Sequence, residues 1–277
     1  MTTTILLVGH GSRNQAGNDE IREFQKRWQA QHPAWRIELC YIELAEVLLD
    51  EGLLTAAQGS ERVVVVPLIL SAAGHVKMEI PEHIEEARER FPEVEFIYAP
   101  HIGVNEDVLD ILKKDLNNTL QTLAMPDPKT TGVILLGRGS SDRVANGELA
   151  KLARWLYEDT EHELVDIAFT GITHPRLETA VQRQVKLGMT QIVILPYYLF
   201  TGLLIERISE QVQRLQGQYP QVAFACGQYF GFDPVIFRLL DQRVEQALDP
   251  AVPVRLECDG CQYREQAAQH HDHHHHD

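Results

Sequence analysis

The sequence predicts an α/β protein built from two duplicated, Rossmann-like domains. Each is expected to be a parallel sheet with helices on both faces, and a cleft is expected between the two. Three observations lead there. Short apolar runs alternate with amphipathic helical patterns, which is the signature of βαβ units. The run Ile5-Leu6-Leu7-Val8-Gly9-His10-Gly11-Ser12-Arg13 reads as a buried strand ending in a glycine-hinged turn. That run returns in the second half as Thr131-Gly132-Val133-Ile134-Leu135-Leu136-Gly137-Arg138-Gly139-Ser140.

In order, strands are expected at 4–8, 36–42, 62–70 and 93–99. Helical patterns fall at 18–31, 45–58, 80–90 and about 105–123. Met125-Pro126-Asp127-Pro128-Lys129 cannot continue the last helix, because proline removes a donor and restricts its neighbour. After this linker the pattern repeats. Gly11 matches Gly139 and Gly103 matches Gly231, both at an offset of 128. Phe91-Pro92 matches Tyr219-Pro220 at the same offset, and Pro67 matches Pro196 at 129. Four anchors at nearly one offset indicate an internal duplication. The expected domains are residues 1–124 and 132–248, joined by a linker at 125–131, with a Cys- and His-rich tail at 249–277.

Composition narrows the function. The chain has 277 residues, 44% of them hydrophobic, enough for one large or two moderate cores. Its 25 basic and 40 acidic residues give a net charge of −15. That balance argues against a nucleic-acid partner, whose binding is dominated by phosphate neutralisation. An anionic substrate must then be held by local basic groups against the overall field. No run is apolar enough to span a membrane, and Met1-Thr2-Thr3-Thr4 lacks a signal pattern, so a cytoplasmic protein with no membrane partner is expected. Cys40 and Cys226 lie in apolar runs and read as core residues.

His10 follows the first expected strand and His75 follows the third, in Gly74-His75-Val76-Lys77-Met78-Glu79-Ile80-Pro81. In a doubly wound sheet those two strands are commonly neighbours, about 4.8 Å apart, with the ligand-binding switch point between them. Two imidazoles there suit one shared divalent ion; two unrelated turn histidines are the plainer alternative. The second half places Arg138 where His10 stood and Leu203 near the position of His75. Arg138 is a candidate clamp for a carboxylate, or else a solvated turn arginine. Tyr197, Tyr198, Phe200 and Leu203 read either as an apolar wall for a flat ligand or as core. Glu43 and Glu79 are candidates for charge balance or proton acceptance, or for favourable placement near helix starts.

The motifs Gly9-His10-Gly11-Ser12-Arg13 and Gly74 to Pro81 together resemble the class II chelatases of tetrapyrrole synthesis. Within that family the chain is most similar to the long, two-domain sirohydrochlorin cobaltochelatases of the anaerobic cobalamin pathway. Close relatives insert ferrous iron to make sirohaem. The resemblance covers roughly Thr3 to Leu248 and the tail. It implies chelatase-like domains and a lyase that inserts Co(II), with Fe(II) as the alternative substrate metal. His10 and His75 then bind the metal and assist proton removal, and Glu79 stands where the family often has aspartate. Arg13, Lys77, Arg138 and Arg207 would orient the polycarboxylate sirohydrochlorin, with Tyr198 as a further tetrapyrrole contact. Some long members carry a tail iron–sulfur cluster. Cys258 and Cys261 supply two thiolates, so a homodimer would be needed to complete four; a dithiol pair or metal capture are the alternatives. The run His270-His271-Asp272-His273-His274-His275-His276-Asp277 reads as a metal-binding tract, either native, which the interrupting Asp272 favours, or an expression-tag remnant. Two rivals from other classes are a metal-storage or delivery protein working through its tail, and a phosphoryl-transfer enzyme using His10 as nucleophile.

Overall fold

The structure, a computed structural model, describes residues 2–249 and residue 251. The first repeat contains β1 (Thr3–Gly9), α1 (Gln15–Gln31), β2 (Arg36–Tyr41), α2 (Leu49–Ala57) and β3 (Arg62–Pro67). A π-helical turn (His75–Glu79) then leads into α3 (Ile80–Arg90), β4 (Glu95–Tyr98) and α4 (Glu106–Leu120). The second contains β5 (Thr131–Gly137), α5 (Arg143–Glu158), β6 (Val165–Phe169), α6 (Leu177–Lys186), β7 (Gln191–Pro196), α7 (Leu203–Gln218), β8 (Ala223–Cys226) and α8 (Pro234–Leu248). Each repeat forms a parallel four-stranded sheet, ordered β2-β1-β3-β4 and β6-β5-β7-β8. The first and third strands of each repeat are neighbours, so the strand order reverses between them and creates a switch point.

Side-chain alternation explains the layers. Leu6, Val8, Cys40, Val63 and Val65 face α2 and α3, packing on Leu49, Leu53, Ile80 and Ile84. The intervening residues Ile5, Leu7, Val64 and Val66 face the opposite side and are equally buried. In the second repeat Ile134, Leu136, Ile192 and Ile194 pack against Leu177, Val181, Ile208 and Leu215 of α6 and α7. Near-continuous apolar strands of this kind are what a sheet covered on both faces requires. Helix starts are set locally: the side chains of Asn14, Asn105 and Asp142 accept N–H groups from Ala16, Val108 and Val144.

The duplication reaches into backbone detail. Gly11 and Gly139 both sit at φ +87°, and Leu44 and Ile172 at +63° and +60°. Asn18 donates to the Ser12 carbonyl at 2.7 Å, and Asn146 to the Ser140 carbonyl at 2.8 Å. Isolated bridges join Tyr41 to Leu48 and Phe169 to Arg176. A left-handed conformation at a residue other than glycine costs about 1–3 kcal/mol. Its recurrence at Leu44 and Ile172 shows that the loop shape itself is retained.

The compact units of the structure differ from the sequence repeats. One unit comprises residues 2–103 with 237–249, and the other residues 104–236. The last helix of each repeat therefore belongs to the other unit. In the first unit Phe237 of α8 stacks on Phe24 of α1 at 4.0 Å, and Asp241 accepts the Trp28 indole N–H at 2.8 Å. Arg243 donates to the carbonyls of His101 and Ile102 at 2.9 and 2.7 Å. In the second unit Asp115 of α4 accepts the Gln228 N–H at 3.1 Å, and Lys113 pairs with Asp159 at 2.9 Å. Burial raises the Asp115 carboxyl pKa above its ordinary value, against the pull of that backbone N–H. A split at residues 125–131 thus separates the repeats without separating the compact units.

Three local expectations need correction. A helix was expected from residue 45, but α2 starts at Leu49. The Tyr41 N–H donates to the Val47 carbonyl at 2.8 Å, which folds the intervening residues back on their own strand. Strand β3 ends at Pro67 rather than residue 70, because Ile69 and Leu70 offer their carbonyls to Ile102 and Gly103 beyond β4. Strand β5 begins at Thr131, inside the expected linker, because Thr131 is already in register with Gln191. Among the described residues no helix is long and apolar enough to cross a membrane.

A fragment of residues 104–236 is expected to melt cooperatively as a folded monomer in circular dichroism. A fragment of residues 132–248 lacks α4, and is expected to aggregate or to pair with a second copy when followed by light scattering.

Candidate functional site

His10 is the first residue after β1, where the sheet order reverses, and its side chain is partly exposed. Its position depends on a close approach of two loops. The Ile42 N–H donates to the Gly9 carbonyl at 3.0 Å, and the Glu43 N–H to the His10 carbonyl at 3.1 Å. A Cβ at Gly11 would overlap the Glu43 carbonyl oxygen, and its φ of +87° already favours glycine. The Gly-His-Gly motif is therefore a seat for the loop after β2.

That loop brings Glu43 to the histidine. The Glu43 Oε1 lies 3.7 Å from His10 Nδ1, and the Gly11 carbonyl oxygen lies 3.3 Å from the same nitrogen. A neutral imidazole that donates from Nδ1 to the Gly11 carbonyl keeps its lone pair on Nε2.

His75 opens the π-helical turn that follows β3, the strand hydrogen-bonded to β1. Lys77 and Glu79 belong to the same turn, and both are half-buried. Glu79 is the N-cap residue of α3. Arg13 is exposed in the turn after β1. The sequence places the two histidines after neighbouring strands; β1 and β3 are hydrogen-bonded neighbours, and His75 comes eight residues beyond the end of β3. The π-helical turn left no sign in the sequence, because period-3.6 patterns do not distinguish one widened turn.

The second unit shows what the same turn becomes with Arg138 in the place of His10. Arg138 follows β5 and is exposed. The Gly171 N–H donates to the Arg138 carbonyl at 2.9 Å, repeating the seat of the first unit. The Thr170 hydroxyl lies 2.7 Å from the Tyr198 hydroxyl. Burial pushes the Tyr198 pKa up to about 12, with Thr170 and the Arg138 charge acting in the opposite direction. The phenol is therefore neutral at ordinary pH and remains a hydrogen-bonding group. Thr170 carried no signal in the sequence, since a threonine after a β-run is commonplace.

Other candidates divide clearly. Tyr197 is buried and packs edge-on against Phe230 at 5.5 Å, so it belongs to the core rather than to a ligand wall. Phe200 makes a similar contact with Phe232 at 6.2 Å. Leu203 and Arg207, on the first turns of α7, are exposed. Cys40 is fully buried, and burial also pushes the Cys226 thiol up to about 11, which keeps it protonated. Cys258, Cys261 and the histidine run at 270–277 lie outside the described residues.

The fold and the two strand edges define a duplicated parallel α/β protein whose halves share a backbone but carry different side chains. Comparison with known proteins identifies it further. The chain belongs to the CbiX family, which it matches over residues 4–119 and again over 132–247. It is 42% identical to the sirohydrochlorin cobaltochelatase of Priestia megaterium, covering 98% of this chain and 87% of that one. It is 31% identical to the sirohydrochlorin ferrochelatase of the same organism, covering 88% and 90%. Two structures of Bacillus subtilis SirB superpose on 93% of this chain and all of theirs. The one with Fe3+ has a TM-score of 0.78 at 30% identity, and the one in complex with cobalt 0.75 at 28%.

Replacing Gly11 with alanine is expected to destabilise the protein by about 2 kcal/mol or more in denaturant titration. Gly59 also has a positive φ, +74°, but open space around it. Gly59→Ala should therefore lose only the backbone part, and Gly11→Ala should be clearly the worse of the two.

Proposed function

We propose that this protein is a sirohydrochlorin cobaltochelatase, inserting Co(II) into the macrocycle in the anaerobic route to cobalamin. The observation that carries the mechanism is the His10 environment. With Nδ1 donating to the Gly11 carbonyl, the ring's lone pair on Nε2 would serve either the incoming ion or a pyrrolic proton. His75, beyond the adjacent strand, is the second imidazole of this reading. Insertion exchanges two N–H protons of the ring for one divalent ion. Imidazoles suit both halves of that exchange, because their pKa lies near neutrality and neutral ligands release an ion more readily than thiolates. Glu43 balances the charge that His10 gains on protonation, and Glu79, at the N-terminus of α3, is the second candidate carboxylate.

The substrate is a polycarboxylate and the protein carries a net charge of −15, so local cations must hold it. Arg138 is the carboxylate clamp of this reading, with Tyr198 beside it and Arg13 as a further contact. The cobaltochelatase relative covers nearly the whole chain, which favours Co(II). Iron is the second reading, supported by the ferrochelatase relative and the Fe3+-bearing SirB structure. First-row ions differ little at imidazole sites, so supply also decides the metal. For the tail we propose metal capture. A cluster at Cys258 and Cys261 would require a homodimer, and iron, sulfide and mass measurements read both together.

Anaerobic insertion into sirohydrochlorin, followed by absorbance with Co(II) and Fe(II), tests the reading. His10→Ala and His75→Ala are each expected to lose about 100-fold or more in rate while staying folded. A chain ending at Asp249 should keep its activity. Undiminished insertion in both histidine variants would overturn the mechanism, and loss of function in the truncated chain would favour a storage or delivery role.

A further inference from the structure

We infer that Leu44 is a substrate-contacting residue, seating the apolar surface of the macrocycle beside the His10–Glu43 pair. The inference rests on the insertion reading above and names a contact that reading does not contain. Leu44 occupies a left-handed backbone position, φ +63°, where glycine or asparagine would sit without strain. Its side chain is 46% exposed, so packing does not compensate for that strain. Leu48, 46% exposed, and Val47, 38% exposed, belong to the same loop. Three exposed apolar side chains thus follow Glu43 within one loop of a chain whose net charge is −15.

The loop is held in place. The Glu43 N–H bonds the His10 carbonyl, the Ile42 N–H bonds the Gly9 carbonyl, and the Tyr41 N–H bonds the Val47 carbonyl, all at 2.8–3.1 Å. Leu44 is consequently fixed relative to the imidazole, one residue from the carboxylate that lies 3.7 Å from His10 Nδ1. The second unit repeats the device. Ile172 has φ +60° and is 58% exposed, one residue after Gly171 bonds the Arg138 carbonyl. A β-branched residue is still less suited to that conformation. Strain combined with exposure points to a role outside the fold, since observed backbone outliers concentrate at ligand sites. A tetrapyrrole supplies the matching chemistry: apolar ring faces, with carboxylates confined to its rim.

The test separates binding from folding. Leu44→Asn and Leu44→Gly remove the apolar contact and relax the backbone; Leu44→Met keeps an apolar side chain; Leu187→Asn removes an exposed leucine from the end of α6. Steady-state insertion and thermal unfolding are measured on each full-length variant. Leu44→Asn and Leu44→Gly are expected to raise KM for sirohydrochlorin about tenfold. Their kcat should stay near that of wild type, and their unfolding midpoint should be unchanged or about 2–4 °C higher. Leu44→Met and Leu187→Asn should stay within about twofold of wild type in KM. An unchanged KM in Leu44→Asn and Leu44→Gly, with normal wild-type insertion, overturns the contact alone. A KM rise accompanied by a falling unfolding midpoint, or failure of both variants to fold, makes Leu44 structural and overturns it too. No insertion by wild type overturns the site reading itself, and the contact with it.

Discussion

Everything at the first strand edge depends on one close approach, the turn at Gly11 resting on the backbone of the loop after β2. The carbonyl of Glu43 occupies the space a side chain at residue 11 would need. The Glu43 N–H simultaneously bonds the His10 carbonyl. Two backbones that close share one set of hydrogen bonds, so neither loop can shift without the other. His10 is thereby presented with a carboxylate behind its Nδ1, and the chain beyond Glu43 must turn sharply at Leu44. A glycine, an imidazole orientation and a strained leucine are three consequences of a single contact.

The second unit preserves the contact and changes the chemistry. Gly139 rests on the Gly171 carbonyl in the same conformation, yet the exposed side chain is Arg138 and the loop residue is glycine instead of glutamate. Backbone seating is independent of side-chain identity here, because it is made by main-chain atoms. Such a scaffold can diverge at its edge without losing its fold. The exchange of last helices follows another logic. α4 and α8 contribute apolar faces and a few polar anchors, such as the Asp241 carboxylate on the Trp28 indole. A sheet face must be covered, but nothing in the pattern of a helix states which sheet it covers.

That difference marks how much was legible in the residues. The parallel sheets followed from alternating apolar runs, the duplication from matched offsets, and the adjacency of β1 and β3 from the usual strand order of doubly wound sheets. The folded-back loop at 42–48 did not, because its apolar residues mimic the first turn of a helix until Tyr41 N–H finds the Val47 carbonyl. Helix exchange and the Thr170–Tyr198 hydroxyl pair were equally hidden, since each joins residues far apart in sequence. Of the site, the histidines and Arg138 were visible through the motif and its altered copy. Glu43 was visible only as a residue at a strand end, and its relation to Nδ1 required the structure.

The two strand edges differ in their electrostatics. At the first edge, the Glu43 carboxylate lies 3.7 Å from the His10 imidazole. At the second, a guanidinium stands near two neutral hydroxyls, one of them a phenol whose burial keeps it protonated to about pH 12. Neutral hydroxyls and a permanent cation are the groups expected to receive carboxylates without titrating themselves. A polyanionic ring approaching a protein of net charge −15 meets repulsion almost everywhere. Local cations are then what attract it, and exposed apolar side chains are surfaces from which that repulsion is locally absent.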